Sequence, residues 1–217
     1  MNETTELLAA TPTPLDPDGF NPLARLPYGL TTEHVQLALQ EFLTFLGYIN
    51  QQLVTRELAR LECMLMPANF SSLVGEFLGS GIPKYCPGLV RNRYHNGYPD
   101  MLPAGFAPND RAQHANQGIE VKASRSQSGW QGHNRENGWF LIAVFDANRA
   151  VDATGGVAPF PFRFLKIVCA ELVEDDWQWS GRSATSRRTP TSSIIATGYG
   201  KMMGNWVYQD RRRRGEL

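Results

Sequence analysis

Gly118-Ile119-Glu120-Val121-Lys122 is preceded at a distance of about twenty residues by Pro99-Asp100. The quintet alternates apolar and charged side chains, the period-two pattern of a half-buried strand. Ile119 and Val121 are expected to face a core, and Glu120 and Lys122 a cleft. Asp100 follows a proline in the Gly- and Pro-rich stretch Asn96 to Pro108, which reads as a turn or a strand edge. Two carboxylates and a lysine in this order carry the parts of a metal-dependent phosphodiesterase. Mg²⁺ prefers hard oxygen donors and keeps several waters. Asp100 and Glu120 supply carboxylates, and the Val121 carbonyl adds a neutral oxygen. The Lys122 ammonium is suited to orient or activate water and to offset charge on the transition state. Taken singly, Asp100 reads equally well as a turn residue, and Glu120 and Lys122 as a solvated strand face.

Together these residues resemble the motif of the PD-(D/E)xK nuclease superfamily, which includes most Type II restriction endonucleases. The resemblance covers roughly Glu76 to Asp146. It implies an α/β fold with a mixed central sheet flanked by helices. It also implies Mg²⁺-dependent hydrolysis of double-stranded DNA, with Asp100, Glu120 and Lys122 as catalytic residues and Asp100, Glu120 and Val121 at the metal. Members often carry a further acid on a preceding helix. Glu76, within Phe70-Ser71-Ser72-Leu73-Val74-Gly75-Glu76-Phe77-Leu78, stands where that acid would be, and the resemblance implies that it joins the catalytic and metal residues, holding a second metal or a metal-bound water. A helix usually follows the E-x-K strand, but Ala123–Gly138 is polar and Gly-rich. Trp139–Phe145 suits the next core strand. A Type II enzyme further implies a homodimer, a separate cognate DNA methyltransferase and a prokaryotic cytoplasm. The competing readings are a repair, junction or phage-defence nuclease of the same fold, and a non-catalytic DNA-binding protein.

Length and composition bound these readings. The 217 residues suit one domain. We divide it into an extended arm over 1–30, a helical part over 31–90, a catalytic sheet core over 91–180 and a basic C-terminal part over 181–217. No apolar run reaches the ~20 residues of a membrane span, and the polar, acidic start lacks the pattern of a secretory signal. Cys63, Cys86 and Cys169 form no metal-ligand spacing and read as reduced intracellular thiols. The four histidines are scattered, which argues against zinc. Net charge is zero overall, yet residues 1–90 hold four basic and nine acidic side chains, and residues 91–217 hold seventeen and twelve. The motif therefore lies in the basic half, where a phosphate backbone would bind.

In the helical part, Val35, Leu39, Phe42, Leu46, Ile49 and Leu53 recur at helical spacing. The pattern predicts one long helix from about Thr32 to Met66, capped by Thr31 or Thr32 and closed by Pro67. Its stripe either packs on the chain's own sheet or joins a second copy, since two-fold dimers suit two-strand cleavage. Beyond the motif, Ser124, Arg125, Ser126, Gln127, Trp130, His133 and Asn134 form a polar segment suited to phosphates and base edges, or else a surface loop. His133 is not needed as a base beside Lys122. A second DNA contact is expected at Arg187 and Arg188, among the Ser and Thr of 180–193. Phe162–Cys169 reads as another strand, Glu174-Asp175-Asp176 as a turn, and Arg211–Arg214 as a solvated terminal charge run.

Overall fold

Gly138–Asp146 forms a central strand buried on both faces, and its alternation explains the layering of the molecule. Leu141, Ala143 and Phe145 enter one hydrophobic core, whereas Phe140, Ile142 and Val144 enter a second core on the opposite face. A strand covered on both sides reads as a continuous apolar run, as Trp139–Phe145 does here. The computed structural model describes residues 3–132, 134–180 and 191–212. Among these, the helices are α1 (Glu3–Ala9), α2 (Thr32–Val54), α3 (Leu61–Met64), α4 (Pro67–Tyr85), α5 (Ala150–Thr154) and α6 (Ala196–Gly204). The strands are β1 (Leu89–Arg91), β2 (Met101–Pro103), β3 (Ile119–Ser124), β4 (Gln131–Gly132), β5 (Gly138–Asp146), β6 (Arg163–Leu172), β7 (Trp177–Trp179), β8 (Ser192–Ile194) and β9 (Trp206–Gln209).

The main sheet runs in the order β1-β2-β3-β5-β6-β9. Only β3 and β5 are parallel, with Glu120 beside Phe140 and Lys122 beside Ile142; the other pairs are antiparallel. The sheet is therefore mixed, and helices flank it. A parallel pair needs a crossover, usually a helix. Here the crossover is a loop that carries β4 into a second small sheet of order β4-β8-β7. Trp130, Trp177, Ile194 and Met202 pack from that side onto Phe140, Ile142 and Val144. Two large indoles supply the apolar area that strands of two or three residues lack.

The opposite face is covered by α2 and α4. Thr31 caps α2, accepting from the His34 backbone while the His34 side chain accepts from the Thr31 backbone. Val35, Leu39, Phe42 and Leu46 are buried in the chain's own core, so this stripe is not free to join a second copy. The predicted continuous helix to Met66 is not formed: α2 ends at Val54 and α3 begins at Leu61. Asn50 explains the break. Its Oδ1 accepts from the Leu61 backbone N–H at 2.8 Å, and its Nδ2 donates to Glu62 Oε2 at 2.8 Å. This satisfies an orphan donor at the start of α3 and fixes the bend. Pro67 opens α4 at its first turn, where its missing N–H does no harm. No helix among the described residues is long and apolar enough to cross a membrane.

Candidate metal and nuclease site

Ile119 and Val121 join the α4-side core, and Glu120 and Lys122 take the alternate face of β3, as period-two alternation requires. β2 pairs with β3 only at Met101 and Ile119. Just past that point the edge of β3 is free, and Asp100 fills the place of the missing strand. Its Oδ2 accepts from the Val121 backbone N–H at 2.8 Å. Asn92 holds the Asp100 turn from the other side. The Asn92 backbone N–H donates to the Asp100 carbonyl at 2.8 Å, and its side-chain amide donates to the carbonyls of Pro99 at 3.0 Å and Ala112 at 2.8 Å. Gly118 completes the junction. Its φ is +134°, and a Cβ there would lie 2.2 Å from the Met101 carbonyl oxygen, so only glycine lets β2 and β3 approach this closely.

Asp100, Val121, Lys122 and Glu76 line one cavity of about 260 Å³, together with Ser71, Ser72, Gly75 and Ala123. Glu120 does not line it; 7 % exposed, it is linked to the cavity through an ion pair with the Lys122 ammonium. Glu76 stands at the exposed rim, where it pairs with Arg91 at 2.7 Å. Burial, aided by the charge of Glu120, pushes the Asp100 carboxyl up to about 7, against the opposing effects of the Val121 N–H and Lys122. Burial alone would lower the pKa of Lys122. The charge and hydrogen bond of Glu120, with Asp100 beyond, outweigh it and raise the ammonium above its ordinary value.

Among the described residues no three His, Cys, Asp or Glu side chains converge as a metal-binding group. The donors at hand are two carboxylates, Asp100 and Glu120, with the Val121 carbonyl between them. This all-oxygen set is sparse, and it fits Mg²⁺, which is commonly held by one or two carboxylates with water completing the shell.

Three neighbours escaped the sequence reading. Tyr98 stacks on His114, with ring centroids 5.2 Å apart. Burial and the charges of Glu136, Glu120 and Asp100 push the Tyr98 hydroxyl up. Burial also raises the Glu136 carboxyl, although Lys122, a hydrogen bond from Asn134 and His114 all act the other way. Glu136 is brought here because it directly precedes β5, which runs parallel to β3. No spacing in the sequence signals that register.

The expected DNA-contact residues divide. Ser126, Gln127 and Asn134 are exposed, and Ser124 is half-buried at the end of β3. Trp130 must be corrected: its ring is 3 % exposed in the second core and its Nε1 donates to the Ser126 carbonyl at 2.8 Å, so it braces the loop from within. Arg125 must be corrected too. Its guanidinium lies over Phe70 and Phe145, 5.4 and 5.2 Å from their ring centroids, and Nη1 donates to the Ala147 carbonyl. Its Nε and Nη2 are buried and meet no hydrogen-bond partner among the described residues. His133, Arg187 and Arg188 lie outside the described residues. At the C-terminus, Arg211 and Arg212 are docked rather than free: Arg211 sits over Trp206, and Arg212 pairs with Asp210 and donates to the Pro14 carbonyl. Comparisons with protein-family models, curated proteins and solved structures found no match to this chain.

Proposed function

We propose that this chain is a Mg²⁺-dependent endonuclease that hydrolyses DNA phosphodiester bonds, and that it acts as a sequence-specific Type II restriction enzyme. The observation that carries the reading is the convergence of Asp100, Glu120 and Lys122 where β2 and β3 part, with the Asp100 carboxylate anchored on the Val121 N–H. Packing alone does not call for a buried Glu120, a half-buried Asp100 and a lysine where two strands part. Asp100, Glu120 and the Val121 carbonyl would hold the ion. When bound, Mg²⁺ supplies Lewis-acid polarisation of a phosphoryl oxygen and a more acidic water.

The chain's own groups then have distinct tasks. Lys122, paired with Glu120, supplies a donor and a positive charge beside the reacting water. It orients water and offsets the charge that develops on the phosphoryl oxygens. Glu120 fixes the Lys122 ammonium in place. Asn92 and Gly118 position Asp100. Cleavage of both strands of a duplex would use two copies, and the contact between them must use a surface other than the buried stripe of α2.

The test is incubation of unmethylated plasmid and phage DNA with Mg²⁺, beside an EDTA control and a Lys122→Ala variant. The expected result is a set of discrete fragments that disappears with EDTA. Lys122→Ala is expected to slow cleavage by about 10²–10³-fold, the effect of removing one preorganised donor from developing charge. A Mg²⁺-dependent smear or nicking would keep the nuclease and remove the restriction reading. No cleavage by folded protein, with several metals and DNA forms tried, would overturn the proposal.

A further inference from the structure

A second cavity, of about 570 Å³, adjoins the first. It shares Glu76 and Asp100 with it and is otherwise lined by Gly79 and the run Arg91-Asn92-Arg93-Tyr94-His95-Asn96-Gly97. The loop that makes its wall is held rigidly. Asn92 Oδ1 accepts from the backbone N–H groups of Tyr94 at 3.0 Å and Ala112 at 3.1 Å. The Arg93 N–H donates to the Asp110 carbonyl at 2.8 Å, and the Gly97 N–H to the Tyr94 carbonyl at 3.0 Å. Arg91 and Arg93 on this backbone are exposed and cationic. Arg91 is matched by Glu76, but the Arg93 guanidinium forms no ion pair or hydrogen bond with the described residues. His95 and Asn96 add further hydrogen-bonding groups beside it.

We propose that this cavity binds a backbone phosphate of the DNA strand adjacent to the scissile one, with Arg93 as its principal contact and His95 and Asn96 beside it. The inference rests on the nuclease reading of the Asp100 site. A strand with one phosphate against Lys122 must place its neighbours on either side, and the second cavity opens from the same carboxylate, Asp100. A guanidinium fork on a preorganised loop matches the paired oxygens of a phosphate and loses little freedom on binding. Arg91 contributes less, because it would have to leave Glu76. The contact positions the strand and carries no base information.

The experiment measures binding of a short, fluorescently labelled DNA duplex of mixed sequence by anisotropy in EDTA, across a salt series. Wild type is compared with Arg93→Gln and with Arg56→Gln. Arg56 lies just beyond α2, binds Gln52 and lines neither cavity. All three proteins should melt alike, since both arginines are exposed. Removing one phosphate contact should weaken binding and lower the slope of log affinity against log salt by about one. We expect this for Arg93→Gln and not for Arg56→Gln, with a matching fall in kcat/KM for plasmid cleavage and an unchanged Mg²⁺ requirement. Equal slopes in all three proteins, or equal loss in both variants, would overturn the site. Binding that depends on Arg93 in a protein that never cleaves DNA would support the phosphate site and remove the nuclease reading. A wild type that neither binds nor cleaves DNA would overturn both.

Discussion

Asp100 combines three roles that few residues share: it closes a sheet edge, faces a cavity and sits close to a second carboxylate. Its backbone carbonyl is tied to Asn92, and its side chain accepts the N–H that a longer β2 would have paired. The electrostatic consequence can be measured. With its carboxyl raised to about 7, the folded chain keeps a proton there that the unfolded chain releases near the ordinary aspartate value. Between about pH 4 and 7 the folded state therefore binds more protons, and stability falls as pH rises through that window. The slope from this group is at most about 1.4 kcal/mol per pH unit. Asp100→Asn should remove that slope from urea-unfolding free energies measured in EDTA, while the smaller contribution of Glu136 persists. If the variant and wild type show the same slope, the titration belongs to another group. Addition of Mg²⁺ to wild type should shift the window to lower pH, because a cation favours the ionised carboxylate. That readout does not depend on cleavage.

At the scale of elements, α4 is the part that shapes the cavity. Gly75 and Gly79, one turn apart, face β3 and Asp100. A Cβ at Gly75 would lie 3.7 Å from the Val121 carbonyl oxygen, and one at Gly79 3.6 Å from the Asp100 Cβ. A methyl group fits at that distance; a longer side chain would fill the space over the carbonyl. We expect Gly75→Ala to raise stability by about 0.5–1 kcal/mol, the usual gain in a helix interior, and to leave cleavage intact. Gly75→Leu should fold and lose Mg²⁺-dependent cleavage. Thermal melts and plasmid assays on the two variants check this, and an active Gly75→Leu enzyme would remove the Val121 carbonyl from the site. The elements that the sequence displays are those governed by local pattern. β3, β5 and β6 carry period-two or wholly apolar runs, and Thr31 marks the start of α2. The end of α2 is hidden because residues 55–66 contain neither Pro nor Gly. Asn50 turns the chain there by reaching Leu61 and Glu62, a partnership that spacing cannot reveal. The small sheet is hidden for a related reason: β4 and β8 consist of Gln, Gly, Ser and Ile, and their stability comes from Trp130 and Trp177 packing on β5. Within the site, Asp100, Glu120 and Lys122 announce themselves by type and order. Glu136, Tyr98 and His114 arrive through the parallel β3–β5 register and the turn before β2, which only the fold supplies.

Across the whole molecule, the N-terminal arm, the helical layer and the far end of the sheet meet at one buried cation. Arg60, 1 % exposed, pairs with Glu6 of α1 at 2.8 Å and with Glu62 of α3 at 2.6 Å. It also donates to Asn148 Oδ1 at 2.7 Å and to the Phe160 carbonyl at 3.1 Å, both in the segment joining β5 to β6. Asn148 in turn accepts from the Phe160 N–H at 2.8 Å, and Glu62 accepts from Asn50. Removing Arg60 leaves Glu62, which is 0 % exposed, without its ion-pair partner, whereas Glu6 can still reach water. Arg60→Met fills much of the same volume, so its cost isolates the charge. We expect a loss of about 3–5 kcal/mol in urea unfolding. The double variant Arg60→Met with Glu62→Gln should regain at least about 1 kcal/mol, because a neutral amide can still accept from Asn50 and no longer strands a charge. Additive losses in the double variant would show that the pairing with Glu62 is not what Arg60 contributes. In the single variant, amide exchange should quicken in α1 and in residues 148–160 before it does in β3, because the network clamps the former and not the latter. The Asp100 site should then keep its Mg²⁺-dependent shift in the pH-stability profile as long as the protein remains folded, a separation between the clamp and the site that the same samples can test.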